Sequence, residues 1–374
     1  MRARSQATPA ARWTPGLKID CASDCDAAIL ALAVSRARPP LRLGVAGLGG
    51  MGRVHAENAQ RAPGVELVAV AAAREGRAEE LGRVLGVAHC SYAELFTSEE
   101  VEAVVLAARS VDHGRLAVEV LQSGKHLFLE KPGATTLAEH DALLRESAAR
   151  PDQVVQVGYM RRYDSSFVDA KRRVRAGEGG QPLVILMTSR DTEWPAGEDP
   201  QDTGGFLLDM ASHDYDAACW LFEDEPVEVS VARQALVYPE LADLGDLDNA
   251  LVTIRFARGG LAVTHVSRTS PFGHDIRCEV VGTEGSVFVR GPGDGALEVI
   301  DRTDAIRFPA DYRARFKDAY VAELTAFARA CGGEGLAGPT LEDDRKAVAI
   351  GIAARASAVA GGRPLEVGTD WPWP

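Results

Sequence analysis

No apolar run in this chain of 374 residues approaches the ~20 residues that a helix needs to cross a bilayer. The longest candidate, Ala27 to Val34, is far too short. Positive charge is also scarce: 41 Lys and Arg stand against 54 Asp and Glu, a net charge of −13. Such a surface repels phosphate backbones and anionic headgroups, which excludes nucleic-acid binding and membrane docking as main tasks. Paired cysteines are missing as well. Cys21, Cys25, Cys90, Cys219, Cys278 and Cys331 are scattered, none in the CxxC spacing of a structural zinc site, and no metal is expected. Reduced thiols of a cytoplasmic protein fit this pattern. Repeats and low-complexity tracts are absent. What remains is 46% hydrophobic and 25% charged, ordinary for a globular protein whose length favours two domains.

Residues 1–40 read as a leader of unassigned role. It is rich in Arg, Ala and Pro, and its first acidic residue is Asp20. Asp20, Asp24 and Asp26 interrupt the order of a secretory signal, and no twin arginine appears. A short amphipathic helix is expected from Asp26 to Arg36, closed by Pro39-Pro40.

The chain proper starts at Leu41. A short strand, Leu41 to Ala46, runs into Gly47-Leu48-Gly49-Gly50-Met51-Gly52 and then a helical stretch. This is G-x-G-x-x-G between strand and helix. Gly47 allows the tight turn, Gly49 lets backbone approach a pyrophosphate, and Gly52 permits close helix–strand packing. The helix N-terminus then presents free N–H groups to phosphate. Further strands follow at βαβ distance, Val65 to Ala72 and Ala103 to Ala107. The acidic residue that binds the adenosine ribose of NAD is missing. Its place is taken by Ala71-Ala72-Ala73 and then Arg74, whose guanidinium suits a 2′-phosphate. The cofactor is NAD or NADP, with a lean to NADP.

From Tyr159 onwards strand patterns dominate: Leu183–Thr188, Val227–Ala232, Ala250–Phe256, Leu261–Val266, Ile276–Val281 and Ser286–Val289. Short glycine turns join several into antiparallel hairpins. Helices near Asp209–Phe222 and Phe316–Ala330 would cover one face. The open face would need a partner, so a homodimer or homotetramer is expected. Thr340-Leu341-Glu342-Asp343 starts a final helix in capping-box fashion. The fold class is thus an α/β Rossmann domain over 41–158 followed by an α+β domain over 159–374 with a large, mostly antiparallel open sheet. The final helix, 341–360, is a candidate to pack back on the first domain.

Behind the glycine-rich start, two further motifs in order, Gly124-Lys125-His126-Leu127-Phe128-Leu129-Glu130-Lys131-Pro132 and Gly204-Gly205-Phe206-Leu207-Leu208-Asp209-Met210-Ala211-Ser212-His213-Asp214, resemble the Gfo/Idh/MocA oxidoreductases. The resemblance runs from about Leu41 to Val367. Within the family the chain looks most like the inositol dehydrogenases, a likeness carried by Gln156 to Asp164 (Gln-Val-Gly-Tyr-Met-Arg-Arg-Tyr-Asp), Gly273 to Gly282 and Gly338-Pro339-Thr340. The resemblance implies hydride transfer between a nicotinamide and a secondary alcohol carbon of a cyclic polyol or sugar. An aldose or keto-sugar reductase of the same family and a non-catalytic sugar sensor are the alternatives. One departure stands out. Many inositol dehydrogenases carry His-Arg-Asn-Pro where this chain has Ser189-Arg190-Asp191-Thr192.

Alcohol oxidation needs a base and a stabiliser of alkoxide charge. Asp209 and His213 are four apart, so one helix would place them on one face, the carboxylate orienting the imidazole and raising its basicity. Lys131 ends a strand, where open α/β sheets put their ligand crevice, and its ammonium can stabilise oxygen charge. Lys131, Asp209 and His213 are therefore the expected catalytic set. Gly47, Gly49, Met51, Gly52, Arg74 and Glu130 are the expected cofactor contacts. Arg161, Tyr163 and Asp214 are the expected polyol contacts, with helix capping an alternative for Asp214. His55 and Tyr320 read as packing residues, and His113, after Ser110, as a local cap.

Overall fold

The computed structural model describes residues 39–194, 199–290, 308–369 and 371. The helix expected over residues 26–36 lies outside them. The first half alternates strand and helix: β1 Leu41–Ala46, α1 Gly50–Ala59, β2 Val65–Ala71, α2 Glu75–Leu85, β3 Ala88–Cys90, α3 Tyr92–Thr97, β4 Ala103–Leu106, α4 Ser110–Gln122, β5 His126–Leu129, α5 Leu137–Ala148 and β6 Val155–Val157. The strands form one sheet in the order β3-β2-β1-β4-β5-β6, every pair parallel. All of β4 is buried, as expected for a parallel sheet covered on both faces. Strand order reverses between β1 and β4, and the crevice at such a reversal is where dinucleotides bind.

The second half begins with a 3₁₀ turn, Met160–Tyr163, and α6 Ser165–Arg175. It continues through β7 Pro182–Arg190, α7 Pro200–Thr203, α8 Phe206–Asp209, α9 Ser212–Phe222, β8 Pro226–Gln234, α10 Glu240–Asp243, β9 Asn249–Phe256, β10 Leu261–Ser267, β11 Asp275–Gly282 and β12 Ser286–Val289. The last elements are α11 Tyr312–Arg315, α12 Lys317–Arg329, α13 Leu341–Val359 and the two-residue β13 Leu365–Glu366. The second sheet runs β12-β11-β7-β10-β9-β8-β13. Only β7 and β10 pair in parallel; the others are antiparallel. Along β9 the burial alternates: Ala250, Val252, Ile254 and Phe256 point into the core, while Leu251 is exposed. That period of two marks a sheet with one packed face.

Helix α9 packs on β7, and α13 contacts β8 on this sheet and α5 and β6 on the other side. Thr340 and Asp343 exchange both bonds of the expected capping box. The single helix expected from Asp209 to Phe222 is broken into α8 and α9, which matters for the site. The strand β13 was not legible in the sequence, because a two-residue strand has no period to read.

Candidate active site

One cleft of about 640 Å³ runs from the glycine turn to the end of α8. Its floor at one end is the β1–α1 turn. Gly47 has φ +93°, and a Cβ there would lie 2.3 Å from the Ala107 carbonyl oxygen. A Cβ on Gly52 would lie 1.7 Å from the Gly47 carbonyl oxygen. Both positions exclude any side chain by backbone contact. Gly49 is different: nothing lies within 4 Å of its Cβ position, and with Gly50 and Met51 it lines the cleft. No side chain caps α1, so its first N–H groups are left for an anion. The turn therefore fits a pyrophosphate. From the second half, Tyr312 Oη and a terminal Arg313 nitrogen lie 3.5 and 3.8 Å from the Cβ position of Gly50. They bring a cation over the same turn.

At the other end stands Lys131, immediately after β5. Its Nζ donates to Asp209 Oδ1 at 2.6 Å and to the Asp209 carbonyl at 3.0 Å. Burial by itself would lower the Lys131 pKa. The Asp209 carboxylate, with smaller help from Glu130 and Asp191, outweighs it and holds the ammonium charged above its ordinary value. The Asp209 carbonyl also accepts from Ser212 Oγ at 2.8 Å. These bonds replace the helical ladder and break α8 from α9.

The expected Asp209–His213 pairing is corrected by this geometry. Asp209 addresses Lys131, and no hydrogen bond joins it to the imidazole. His213 Nδ1 has no partner among the described residues, and the ring meets Tyr159 edge-on at 5.8 Å. Burial, then the positive charges of Lys131 and Arg161, push the His213 pKa well below its ordinary 6.5. The imidazole is neutral and can accept a proton. Its basicity is lowered by its surroundings, not raised.

The expected polyol contacts divide. Arg161 lines the cleft and donates to Asp214 Oδ1 at 2.9 Å and Ser189 Oγ at 2.8 Å. Asp214 is fully buried behind it; it neither reaches the cleft nor caps α9. Tyr163 also stands away from the cleft, its hydroxyl against Gly338 and Gln156. Glu130 lines the cleft but accepts from His55 Nε2 at 2.5 Å and the Lys131 N–H at 3.1 Å. Arg74 is exposed at the start of α2, just past the end of β2. His113 is buried between the Pro132 and Ala108 carbonyls at 2.8 and 3.1 Å, tying the Lys131–Pro132 segment to the end of β4 instead of capping α4.

Sequence reasoning missed one pair. Asp191 Oδ1 and His274 Nδ1 are 2.6 Å apart, both line the cleft, and His274 Nε2 is buried without a partner. The signal lay in sheet register. Arg190 pairs with Asp275 across β7 and β11, which makes Asp191 and His274 the next neighbours. An imidazole thus reaches this stretch from the residue just before β11, opposite Asp191.

The "Oxidoreductase family, NAD-binding Rossmann fold" description matches residues 41–159, and the "GFO/IDH/MocA C-terminal domain" matches residues 167–288. A scyllo-inositol 2-dehydrogenase (NAD(+)) of Bacillus subtilis is 37% identical over 77% of this chain and 85% of its own length. A myo-inositol 2-dehydrogenase of Thermotoga maritima is 33% identical over 85% and 96%. The crystal structure of a probable dehydrogenase from Thermotoga maritima superposes with a TM-score of 0.78 at 32% identity, covering 87% of this chain and 98% of that one. These matches show that the chain belongs to the NAD-binding Gfo/Idh/MocA oxidoreductases and is inositol dehydrogenase-like.

Proposed function

We propose that this protein oxidises a secondary hydroxyl of an inositol or closely related cyclic polyol. The observation that carries the reading is a neutral imidazole, His213, in one cleft with an ammonium, Lys131, held charged by Asp209. When bound, the nicotinamide supplies the hydride acceptor. His213 takes the hydroxyl proton, and Lys131 Nζ stabilises the oxygen as its charge grows. Asp209 keeps Lys131 aimed and charged. Arg161 and the Asp191–His274 pair line the polyol end, offering donors and an acceptor suited to adjacent hydroxyls. The inositol dehydrogenases among the relatives support a cyclic polyol. A panel of inositol stereoisomers and aldoses with NAD and NADP, followed by absorbance of the reduced nicotinamide, tests this. Turnover of aldoses without turnover of any inositol would refute it.

Cofactor use extends the proposal. Ala71-Ala72-Ala73 offers no carboxylate to repel a 2′-phosphate, and Arg74 is an exposed cation beside that gap, which supports NADP use comparable with NAD. Arg74→Ala should weaken NADP by about 1.5–3 kcal/mol, the scale of a charged hydrogen bond, and leave NAD nearly unchanged. Equal effects on both, or strict NAD dependence in the parent, would remove this reading. The exposed Leu186, Leu251, Leu261 and Phe288 on the second sheet support a homodimer or homotetramer. A monomer at micromolar concentration by light scattering would contradict the assembly.

A further inference from the structure

A fully buried carboxylate outside the cleft has three donors and, among the described residues, no Lys or Arg bonded to it. Asp344, in the first turns of α13, accepts from the Gly133 N–H at 2.9 Å and His140 Nε2 at 2.8 Å through Oδ2. Its Oδ1 accepts from the Tyr159 hydroxyl at 2.6 Å. Asp344, His140 and Tyr159 are all fully buried. Burying a carboxylate costs several kcal/mol of lost hydration unless its oxygens are filled. An apolar side chain at this position would avoid that cost, so the carboxylate is there for what it holds.

Two of the held groups lead to the acid–base corner. Gly133 lies two residues after Lys131, and a Cβ there would stand 2.5 Å from Asp344 Oδ2. The carboxylate presses on the backbone that carries the lysine. Tyr159 meets His213 edge-on at 5.8 Å and 90°. Burial and the nearby Asp344 charge raise the Tyr159 pKa well above its ordinary value, so the hydroxyl keeps its proton and donates. Helix α13 is itself pinned by its capping box and by Arg345 Nε on Asp141 Oδ1 at 2.6 Å. Three distant stretches, around residues 133, 159 and 344, thus meet at one carboxylate.

We propose that Asp344 is a positioning residue that sets the Lys131 segment and the His213 ring relative to each other from behind the cleft. This rests on the roles given to Lys131 and His213 above. The full chain is tested as Asp344→Asn, Tyr159→Phe and the double variant. Asparagine keeps the shape but turns a donor toward groups that are already donors. Asp344→Asn should lower kcat by about tenfold or more, because small misplacement of reacting groups is costly. The Kd for NAD should stay within about twofold, since Asp344 does not line the cleft. Tyr159→Phe should lower kcat by a smaller factor. The double variant should be no slower than Asp344→Asn, because the Tyr159 hydroxyl acts only through its bond to Asp344, already lost in that variant. A second readout needs no substrate: the ¹⁵N ring signals of His213, assigned by their loss in His213→Gln, should move in Tyr159→Phe while those of exposed His89 stay put. Absence of activity on every polyol would refute the proposed function and leave the ring signals to judge this inference. If Asp344→Asn does not fold, Tyr159→Phe carries the test. Unmoved His213 signals, multiplying effects in the double variant, or a kcat within about twofold of the parent in both single variants would overturn it.

Discussion

The glycine turn at residues 47–52 and the corner around Lys131 line the same cleft but are built by different means. The turn is local. Its shape follows from three glycines, two of which admit no Cβ because backbone already fills the space, and from the helix start that they feed. The corner is assembled from the end of β5, the break between α8 and α9, and the 3₁₀ turn after β6. No stretch of sequence contains it. Charge also differs between the two. The turn offers N–H dipoles to an anion, whereas the corner holds one full ammonium against one carboxylate and keeps the imidazole beside them neutral. A site read by motif finds the first kind of construction and guesses at the second.

The largest effect should come from the turn itself. Gly52→Ala should cost about 3 kcal/mol or more, because its methyl meets a carbonyl oxygen with nowhere to move. Gly49→Ala, with open space around it, should leave the melting temperature unchanged and weaken NAD about tenfold by entering the cofactor's place. Calorimetry and titration on the two variants separate packing from binding. Equal melting temperatures would show that the turn tolerates more than its backbone contacts allow.

The corner is broken next. Lys131→Ala and His213→Ala should each reduce turnover by about a hundredfold or more, as loss of a charge stabiliser or a proton acceptor does, with cofactor affinity nearly constant. Near-parental turnover in either would remove its assigned role. Asp191→Asn should act more weakly, because Asp191 bonds His274 and not Lys131. It should raise KM for the polyol by about tenfold while kcat changes little, as expected for lost uniform binding. A fall in kcat with constant KM would move the Asp191–His274 pair into the proton-transfer machinery.

The smallest effect is a displacement in pH. A base needs its neutral form, and the surroundings of His213 push its pKa well below 6.5. The kcat/KM for oxidation should therefore hold level from neutral pH down past 6.5 and fall only in more acidic solution. Lys131→Met removes a nearby positive charge, so the residual activity of that variant should begin to fall at higher pH than in the parent. An acidic limb in the parent centred above neutrality would mean that the imidazole is not the group that titrates.

The sequence by itself determined the parallel βαβ half, the hairpins of the second sheet, the glycine turn and the final capped helix. Each is written in patterns a few residues long: apolar periods of two or near four, Gly where φ is positive, Thr340 three before Asp343. It also named Lys131 and His213, which stand at motif positions. Tertiary structure alone decided who touches whom. Asp209 turned to Lys131, not His213: its carboxylate and its carbonyl both accept from Nζ. Asp214 went behind Arg161, and Tyr163 turned to Gly338 and Gln156, because the 3₁₀ turn that carries it presents Met160 and Arg161 to the cleft instead. The Asp191–His274 pair exists through the register of β7 against β11, and Asp344 meets Gly133 across 211 positions of chain. Spacing in a sequence fixes a face over one helix or strand. Once the chain leaves that element, packing and the satisfaction of buried charge choose the partner.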